Sequence, residues 1–575
     1  MFSHQAGTLR PGFFNFVMSY RLLLGFCILA CASTIKAVPV RVEPVTEPHG
    51  MVVAAHPEAS RIGADVLAAG GNAIDAAVAV ALALGVAEPY GSGLGGKLML
   101  LYHDAASGET YAVDGMDAAG SRLSPDAFRA LPERQRSYGW TAVCVPGLAA
   151  ALHEAHARWG SKSWAENVAP AIALARKGSL VLPKTHDLFQ ERQASLRAGD
   201  AATQRLFLPG GEPPAEGSRL ANEELARTME LLAREGASGF YRGRVAEEIV
   251  AAAQAGGGYL TLEDFAQYRA RVSAPLAVDF RGYRVISGPP PTSGGSLHLA
   301  LLKALEQEEF SGELRSAENI DLIGRFWREV LPLVQKHIGD AGDGRAAFAE
   351  FTSAASLASI RAKAHAARPA PAVAVNLVET ESVHASTTHF VVVDRHGNVV
   401  SATQSQSFHF GACVSAAGVV MNNSMSNFSL NGASGPNSVA PGRRPRSTIS
   451  PTIVLREGKP VLALGIPGAS RIPTAILQVL LDRLVFGRAL EDAIGDTRLH
   501  WHNPLGRDQP DAIECEASLP DETAAALQAR GWVVSLREPP GTGRHFGGVT
   551  AISLNPDGSR TGYADPRRTN AAVGH

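Results

Sequence analysis

Cysteine is scarce, 5 in 575 residues, and two of the five, Cys27 and Cys31, lie in an apolar stretch near the N-terminus. Cys144, Cys413 and Cys515 are far apart, which excludes a disulfide framework and cysteine metal-ligand spacing. An excess of one charge is also missing. Lys and Arg number 53 against 55 Asp and Glu, a net charge of −2, so no basic surplus exists to neutralise nucleic-acid phosphates. No apolar run approaches the about 20 residues that span a bilayer. The 58 Gly and 35 Pro are dispersed, without a collagen period or one long Pro-rich linker. At 45% hydrophobic and 19% charged, the composition is that of a chain with a core, not a disordered one. The length has room for roughly two to four ordinary domains or one large layered one.

What is present begins with a leader. Arg21 precedes Leu22-Leu23-Leu24-Gly25-Phe26-Cys27-Ile28-Leu29-Ala30, a positive residue and a short apolar run with a small-residue exit, as in a secretory signal. Met18 suffices as its start, and Ala30-Cys31-Ala32 and Ile35-Lys36-Ala37 both fit a cleavage site. The expectation is a signal peptide over residues 1–37 and export to the periplasm or beyond, with no stable membrane span. Ile28-Leu29-Ala30-Cys31 also has the look of a lipoprotein box, in which case Cys31 carries a lipid anchor.

Beyond it, helix and strand signals alternate. Residues 56–69 have helical spacing ending at Gly70-Gly71, and residues 73–87 are almost wholly Ala, Val and Leu, a helix buried on all sides. Residues 97–103 and 110–114 form a hairpin, and helices dominate 147–270 and the stretch up to about 367. Residues 368–386 are the best linker in the chain. Short strands follow at 388–394, 399–405, 418–422, 452–456 and 460–465, with helices at 473–485 and 521–530. Strand hairpins covered by helices are the coarse expectation.

Several motif matches carry nothing. Gly91-Ser92-Gly93-Leu94-Gly95-Gly96-Lys97 imitates a phosphate loop, yet Leu98 stands where Ser or Thr would hold magnesium and a helix precedes it. His153 and His156 are three apart, not four, and His500 and His502 have no third ligand nearby in sequence. The informative site is Ser386-Thr387-Thr388-His389, where a hydroxyl residue follows a flexible segment and opens a hairpin. A chain cut before Thr387 gives that residue a free α-amine, whose pKa of roughly 7.7–8.0 suits a general base acting on its own hydroxyl.

Motifs in order now become decisive. The chain contains His56-Pro57-Glu58-Ala59, Gly70-Gly71-Asn72-Ala73-Ile74-Asp75-Ala76-Ala77, Glu88-Pro89 and Ser92-Gly93-Leu94-Gly95-Gly96. Pro289-Pro290-Pro291-Thr292-Ser293-Gly294-Gly295, Thr387-Thr388-His389, Met421-Asn422-Asn423-Ser424-Met425, Ser450-Pro451-Thr452, Gly465-Ile466-Pro467-Gly468-Ala469-Ser470-Arg471 and Asp565-Pro566-Arg567-Arg568 follow. Over residues 48–568 it resembles the γ-glutamyltransferases, the self-processing glutathione hydrolases. The resemblance implies an α+β fold, a four-layer αββα sandwich of the N-terminal-nucleophile hydrolases. It implies cleavage between Ser386 and Thr387 into a large piece, 38–386, and a small catalytic piece, 387–575, that remain together as a heterodimer. Thr387 is then the nucleophile that attacks a γ-glutamyl-type amide, Ser405 a hydroxyl beside it, and Gly468 and Ala469 the amides that hold the oxyanion. Ala469 suits that place if its φ is negative, since only its N–H is needed. No metal or organic cofactor is implied.

Departures cluster in the part that recognises substrate. Met116 falls where relatives have an arginine for the glutamyl α-carboxylate. Ser424, Asn427 and Ser407 stand at the α-amine positions, with Asn427 replacing an acidic group. Ser447 and Thr448 keep the family's hydroxyl pair for the carboxylate, and Thr403 belongs to the same set of site residues. Arg443, Arg444 or Arg446 folding over the pocket would replace the lost guanidinium. Otherwise the enzyme is an acylase or amidohydrolase for a different amide, or a processed paralogue that only binds one. Hydrolysis is expected over transfer to an acceptor amine. Lys97, where relatives often have Gly, is open between a surface cation and a residue facing the site. A solute-binding protein, the rival outside enzymes, would show two similar lobes, and the sequence has no such repeat.

Overall fold

Asn72 starts a helix, Ala73–Ala87, by accepting from the Ile74 and Asp75 amides with its side chain, while the Asp75 carboxylate accepts from the Asn72 N–H. Ala, Val and Leu make that helix apolar all round, and it is buried between other helices and the strands Ala385–Val393 and Val399–Phe408. The computed structural model describes residues 42–366, 385–430, 432, 434–502, 511–536 and 546–575. The expected leader, Cys31 and residues 368–384 of the expected linker lie outside the described residues.

Two seven-stranded antiparallel sheets carry the fold. The first runs Ala571–Gly574, Met51–Ala54, Ala385–Val393, Val399–Phe408, Lys97–His103, Thr110–Gly115, Arg271–Ser273. The second runs Val45–Glu47, Arg560–Ala564, Thr550–Leu554, Lys459–Gly465, Thr452–Arg456, Tyr283–Ser287, Leu276–Phe280. Period-two alternation distributes their side chains between layers. Phe390, Val392, Val400 and Ala402 join the core under the helices of the N-terminal half. Val391, Val393, Val399, Met99 and Leu101 meet Ile453, Ala463 and Ile552 in the space between the sheets. On the far face, Val454, Leu464 and Tyr563 pack beneath helices Ser293–Leu305, Ala317–His337 and Ile472–Leu484. The result is the four-layer αββα sandwich, an α+β fold, that the resemblance implies.

Two boundaries differ from expectation where it matters. The strand bearing Thr387 starts at Ala385, inside the expected linker, because Ser386 pairs with Ser407 on the neighbouring strand. That neighbour accordingly runs on to Phe408 rather than ending at 405. The expected strand at 418–422 shrinks to Val419–Val420, paired with Ser415–Ala416.

Candidate active site

Thr387 occupies an irregularity in the ladder: Ser386 pairs with Ser407, but Thr388 pairs with Gln404. One extra residue on the Val399–Phe408 strand locally re-aims the side chains. Thr387 Oγ1 lies 2.7 Å from the Ser386 carbonyl oxygen and 3.2 Å from Ser405 Oγ. Ser405 donates to that same carbonyl at 2.6 Å and accepts from the Ser407 N–H at 2.9 Å. The hydroxyl that would attack, the carbonyl it would attack and a donor polarising that carbonyl are thus within hydrogen-bond reach of one another. All are buried, Thr387 being 4% exposed.

The strand alternation fixes what surrounds them. Thr388 points the other way, donating to Glu88 Oε2 at 2.5 Å, and Tyr90 donates to Glu88 Oε1 at 2.7 Å. His389 turns back between the sheets, with Nδ1 2.7 Å from Thr403 Oγ1. A Cβ on Gly465 would come within 2.3 Å of that imidazole, so only glycine leaves it room. Burial pushes His389 down to about 3, so it is a neutral ring. Thr403 is therefore the partner of His389, fully buried on the strand beside that of the nucleophile.

Beside Ser405 stands a lysine. Lys97 pairs in register with Ser405 across adjacent strands, which places both side chains on the same face. Its Nζ donates to Ser407 Oγ at 2.6 Å and Ser424 Oγ at 2.7 Å, and sits 3.5 Å from Asp117 Oδ2. Ser424 Oγ donates to Asp117 Oδ2 at 2.5 Å, and Asn427 Nδ2 donates to Ser407 Oγ at 3.0 Å. Lysine and aspartate are 1% and 0% exposed. Burial pushes the Asp117 carboxyl up to about 6 in spite of the ammonium beside it, and burial draws Lys97 down.

The expected oxyanion turn follows the strand Lys459–Gly465. Gly468 has φ 146° and Ala469 φ 54°. The negative φ expected of Ala469 is not what the chain adopts: it takes the left-handed region, which costs a residue with a Cβ about 1–2 kcal/mol. The Ala469–Arg471 turn packs against the nucleophile strand. Thr448 Oγ1 donates to the Ala469 carbonyl at 2.8 Å, which binds the Ser447–Thr448 segment to this turn. Ser447, Thr448, Ala469 and Asn427 are half-buried. Among the described residues no group of three or more His, Cys, Asp or Glu could hold a metal.

A model of the gamma-glutamyltranspeptidase family matches residues 59–575. The chain belongs to that family. It is an amide-acting enzyme of the N-terminal-nucleophile type. Among its γ-glutamyltranspeptidase relatives, a Glutathione hydrolase proenzyme of Bacillus subtilis (strain 168) is 34% identical over 552 residues, 91% of each chain. An Acylase ACY 1 proenzyme of Pseudomonas sp. (strain V22) is 35% identical, covering 91% of this chain and 93% of its own. The crystal structure of cephalosporin acylase from Bacillus halodurans superposes with a TM-score of 0.81 at 27% identity, covering 93% of this chain and 98% of its own.

The arginines proposed as stand-ins for the family guanidinium are committed elsewhere. Arg444 is buried on Asp114 at 2.8 Å and the Arg269 carbonyl at 2.6 Å. Arg443 is held by the Ser438 carbonyl and hydroxyl, and Arg446 by the carbonyls of Gln335 and Ile338. Met116 is buried in the apolar layer between the sheets. Lys97 is open between two roles in the sequence alone, and Glu88 and Asp117 have no part there, although Glu88-Pro89 is among the motifs and Asp117 directly follows Met116.

Proposed function

We propose that the chain is a self-processing amidohydrolase that uses Thr387 twice. In maturation, Oγ1 attacks the Ser386 carbonyl carbon, the C–N bond breaks, and the Thr387 nitrogen takes the proton the hydroxyl loses. Water then cleaves the resulting ester, leaving a Ser386 carboxylate and a Thr387 with free amine and hydroxyl. In turnover the α-amine, with a pKa of about 7.7–8.0, takes the hydroxyl proton as Oγ1 attacks an amide carbonyl. The N–H groups of Gly468 and Ala469 stabilise the oxyanion. The leaving amine departs with the proton, and water, or an acceptor amine, resolves the acyl-enzyme. The pieces 38–386 and 387–575 form the mature heterodimer, exported behind the leader to the periplasm or beyond.

The observation that carries this is the position of Thr387 Oγ1 and Ser405 Oγ on one carbonyl, that of Ser386. The amide class is that of a γ-glutamyl compound such as glutathione, or that of an acylase. Lys97 among the hydroxyls of Ser407 and Ser424, and Met116 in the apolar layer, favour the acylase side. Intact mass and N-terminal sequencing of the purified protein test the mechanism. Two fragments, the smaller beginning Thr-Thr-His, are expected from the natural chain and a single chain from Thr387→Ala. A stable, unprocessed natural chain would sink the proposal.

A further inference from the structure

The turn of Gly468 and Ala469 combines a strained backbone with unclaimed donors. Ala469 sits in the left-handed region at φ 54°. Among the described residues neither its N–H nor that of Gly468 has an acceptor. Such amides serve an oxyanion only while the backbone bearing them is fixed, because a small misplacement at the reacting atoms is expensive in rate. Arg471, at the end of the same turn, is where the fixing is done. Its N–H donates to the Gly468 carbonyl at 3.0 Å, and Thr474 Oγ1 donates to the Arg471 carbonyl at 2.9 Å. Its guanidinium grips Glu514 as a fork, Nε on Oε2 at 2.8 Å and Nη2 on Oε1 at 3.0 Å. The ring of Phe546 lies 5.7 Å from the same guanidinium.

Glu514 belongs to the middle strand of a small sheet of its own, Leu499–His502, Ala512–Cys515 and Val533–Leu536. Resting on the mechanism above, we infer that Arg471 and Glu514 are positioning residues: their ion pair ties the oxyanion turn to that sheet and keeps the Gly468 and Ala469 amides aimed during turnover. Both side chains are buried, at 7% and 6% exposed, where an ion pair repays its desolvation poorly, so stability alone is a weak reason for it. Burial pushes the Glu514 carboxyl up, but the bond from His502 and the Arg471 guanidinium draw it down to about 2. The pair is therefore ionised wherever the Thr387 amine can act as a base. Maturation makes no such demand, since the Ser386 carbonyl has Ser405 as its donor.

Glu514→Gln, which keeps the shape and removes the charge, separates positioning from a purely structural role. The half-time of fragment appearance is measured beside the hydrolysis of γ-L-glutamyl 4-nitroanilide and of its analogue without the α-amine. The kcat is expected to fall by about 10–100-fold. KM should stay within about threefold, because the oxyanion exists only in the transition state. The maturation half-time should also stay within about threefold of the natural one. Arg471→Lys should lose as much kcat, since a point charge cannot make two parallel bonds. If the single variants do not fold, Arg471→Met combined with Glu514→Gln leaves no member of the pair charged and gives the same comparison. For a natural enzyme inert toward both anilides, boric acid replaces them, because it forms a tetrahedral anion on a hydroxyl without an acyl group. Its Kd, from the rise in thermal midpoint, should be at least about tenfold weaker in the variants. Equal slowing of maturation and turnover, or a kcat or boric acid Kd like the natural one, overturns the positioning role. A natural chain that stays uncut overturns the Thr387 mechanism instead.

Discussion

Ser405 serves two oxygens at once, donating to the Ser386 carbonyl and lying 3.2 Å from the attacking hydroxyl. Ser405→Ala removes the donor that would polarise the carbonyl, and maturation is expected to slow by roughly 10²-fold, the scale of one lost oxyanion donor. Ser405→Thr, which keeps the hydroxyl, should stay within about tenfold of the natural rate. The half-time of fragment appearance on a denaturing gel reads both. His389 makes a different prediction. Its folded pKa, about 3, lies below the unfolded 6.5, so its contribution is complete above pH 6.5 and is lost as pH falls toward 3. Asp117, raised to about 6, acts in the opposite sense between pH 3.8 and 6. The comparison of natural chain with His389→Gln isolates the histidine. Between pH 6.5 and 4, the variant's stability in denaturant titrations should fall less steeply, by about 1.4 kcal/mol per pH unit. Thr387 was legible in the sequence because a hydroxyl that follows a flexible segment and opens a hairpin is a local pattern, whereas Ser405 came only with the family resemblance. Lys97 and Asp117 were not, since their meeting depends on where Ser424 crosses from a distant loop.

Elements position these groups by close backbone approach. Gly96 lies so near the strand bearing Ser405 that a Cβ would stand 2.4 Å from the Ser405 carbonyl oxygen. Gly96→Ala must displace that strand, and maturation should slow by at least about tenfold even where the thermal midpoint falls by only a few degrees. Parallel measurements of fragment yield and melting separate the two effects. Ala469 offers a gain. With φ at 54° its Cβ is strained, so Ala469→Gly should raise stability by about 0.5–1 kcal/mol in denaturant titrations. The helix Ala73–Ala87 and the hairpin from Lys97 were readable from composition and alternation, since both are apolar enough to allow only one burial. The left-handed backbone at Ala469 was not, because an alanine after Gly468 gives no sign of positive φ. Nor was the continuation of the ladder through Ala385 and Ser386, two small residues that resemble the linker before them.

At the scale of the molecule, both sheets are woven from the two halves of the sequence. In the first, Ala385–Val393, Val399–Phe408 and Ala571–Gly574 lie among Met51–Ala54, Lys97–His103, Thr110–Gly115 and Arg271–Ser273. In the second, four strands from residues 452–564 lie between Val45–Glu47 and the pair Tyr283–Ser287 and Leu276–Phe280. Cutting at residue 386 cannot release either fragment without opening both sheets. The two pieces should therefore co-elute in native buffer and part only as β-structure is lost, which gel filtration and circular dichroism along one denaturant series would show.

The strand Ala571–Gly574 pairs with Met51–Ala54, which pairs in turn with the strand of Thr387. On the proposed mechanism the cut thus becomes a timer of biosynthesis. A nascent chain still missing its last residues has the nucleophile but not the finished sheet that aims it, and premature scission would cast loose a half-made protein. On that mechanism, a chain halted before Ala571–Gly574 is expected to stay single and uncut, marked as unfinished by that alone.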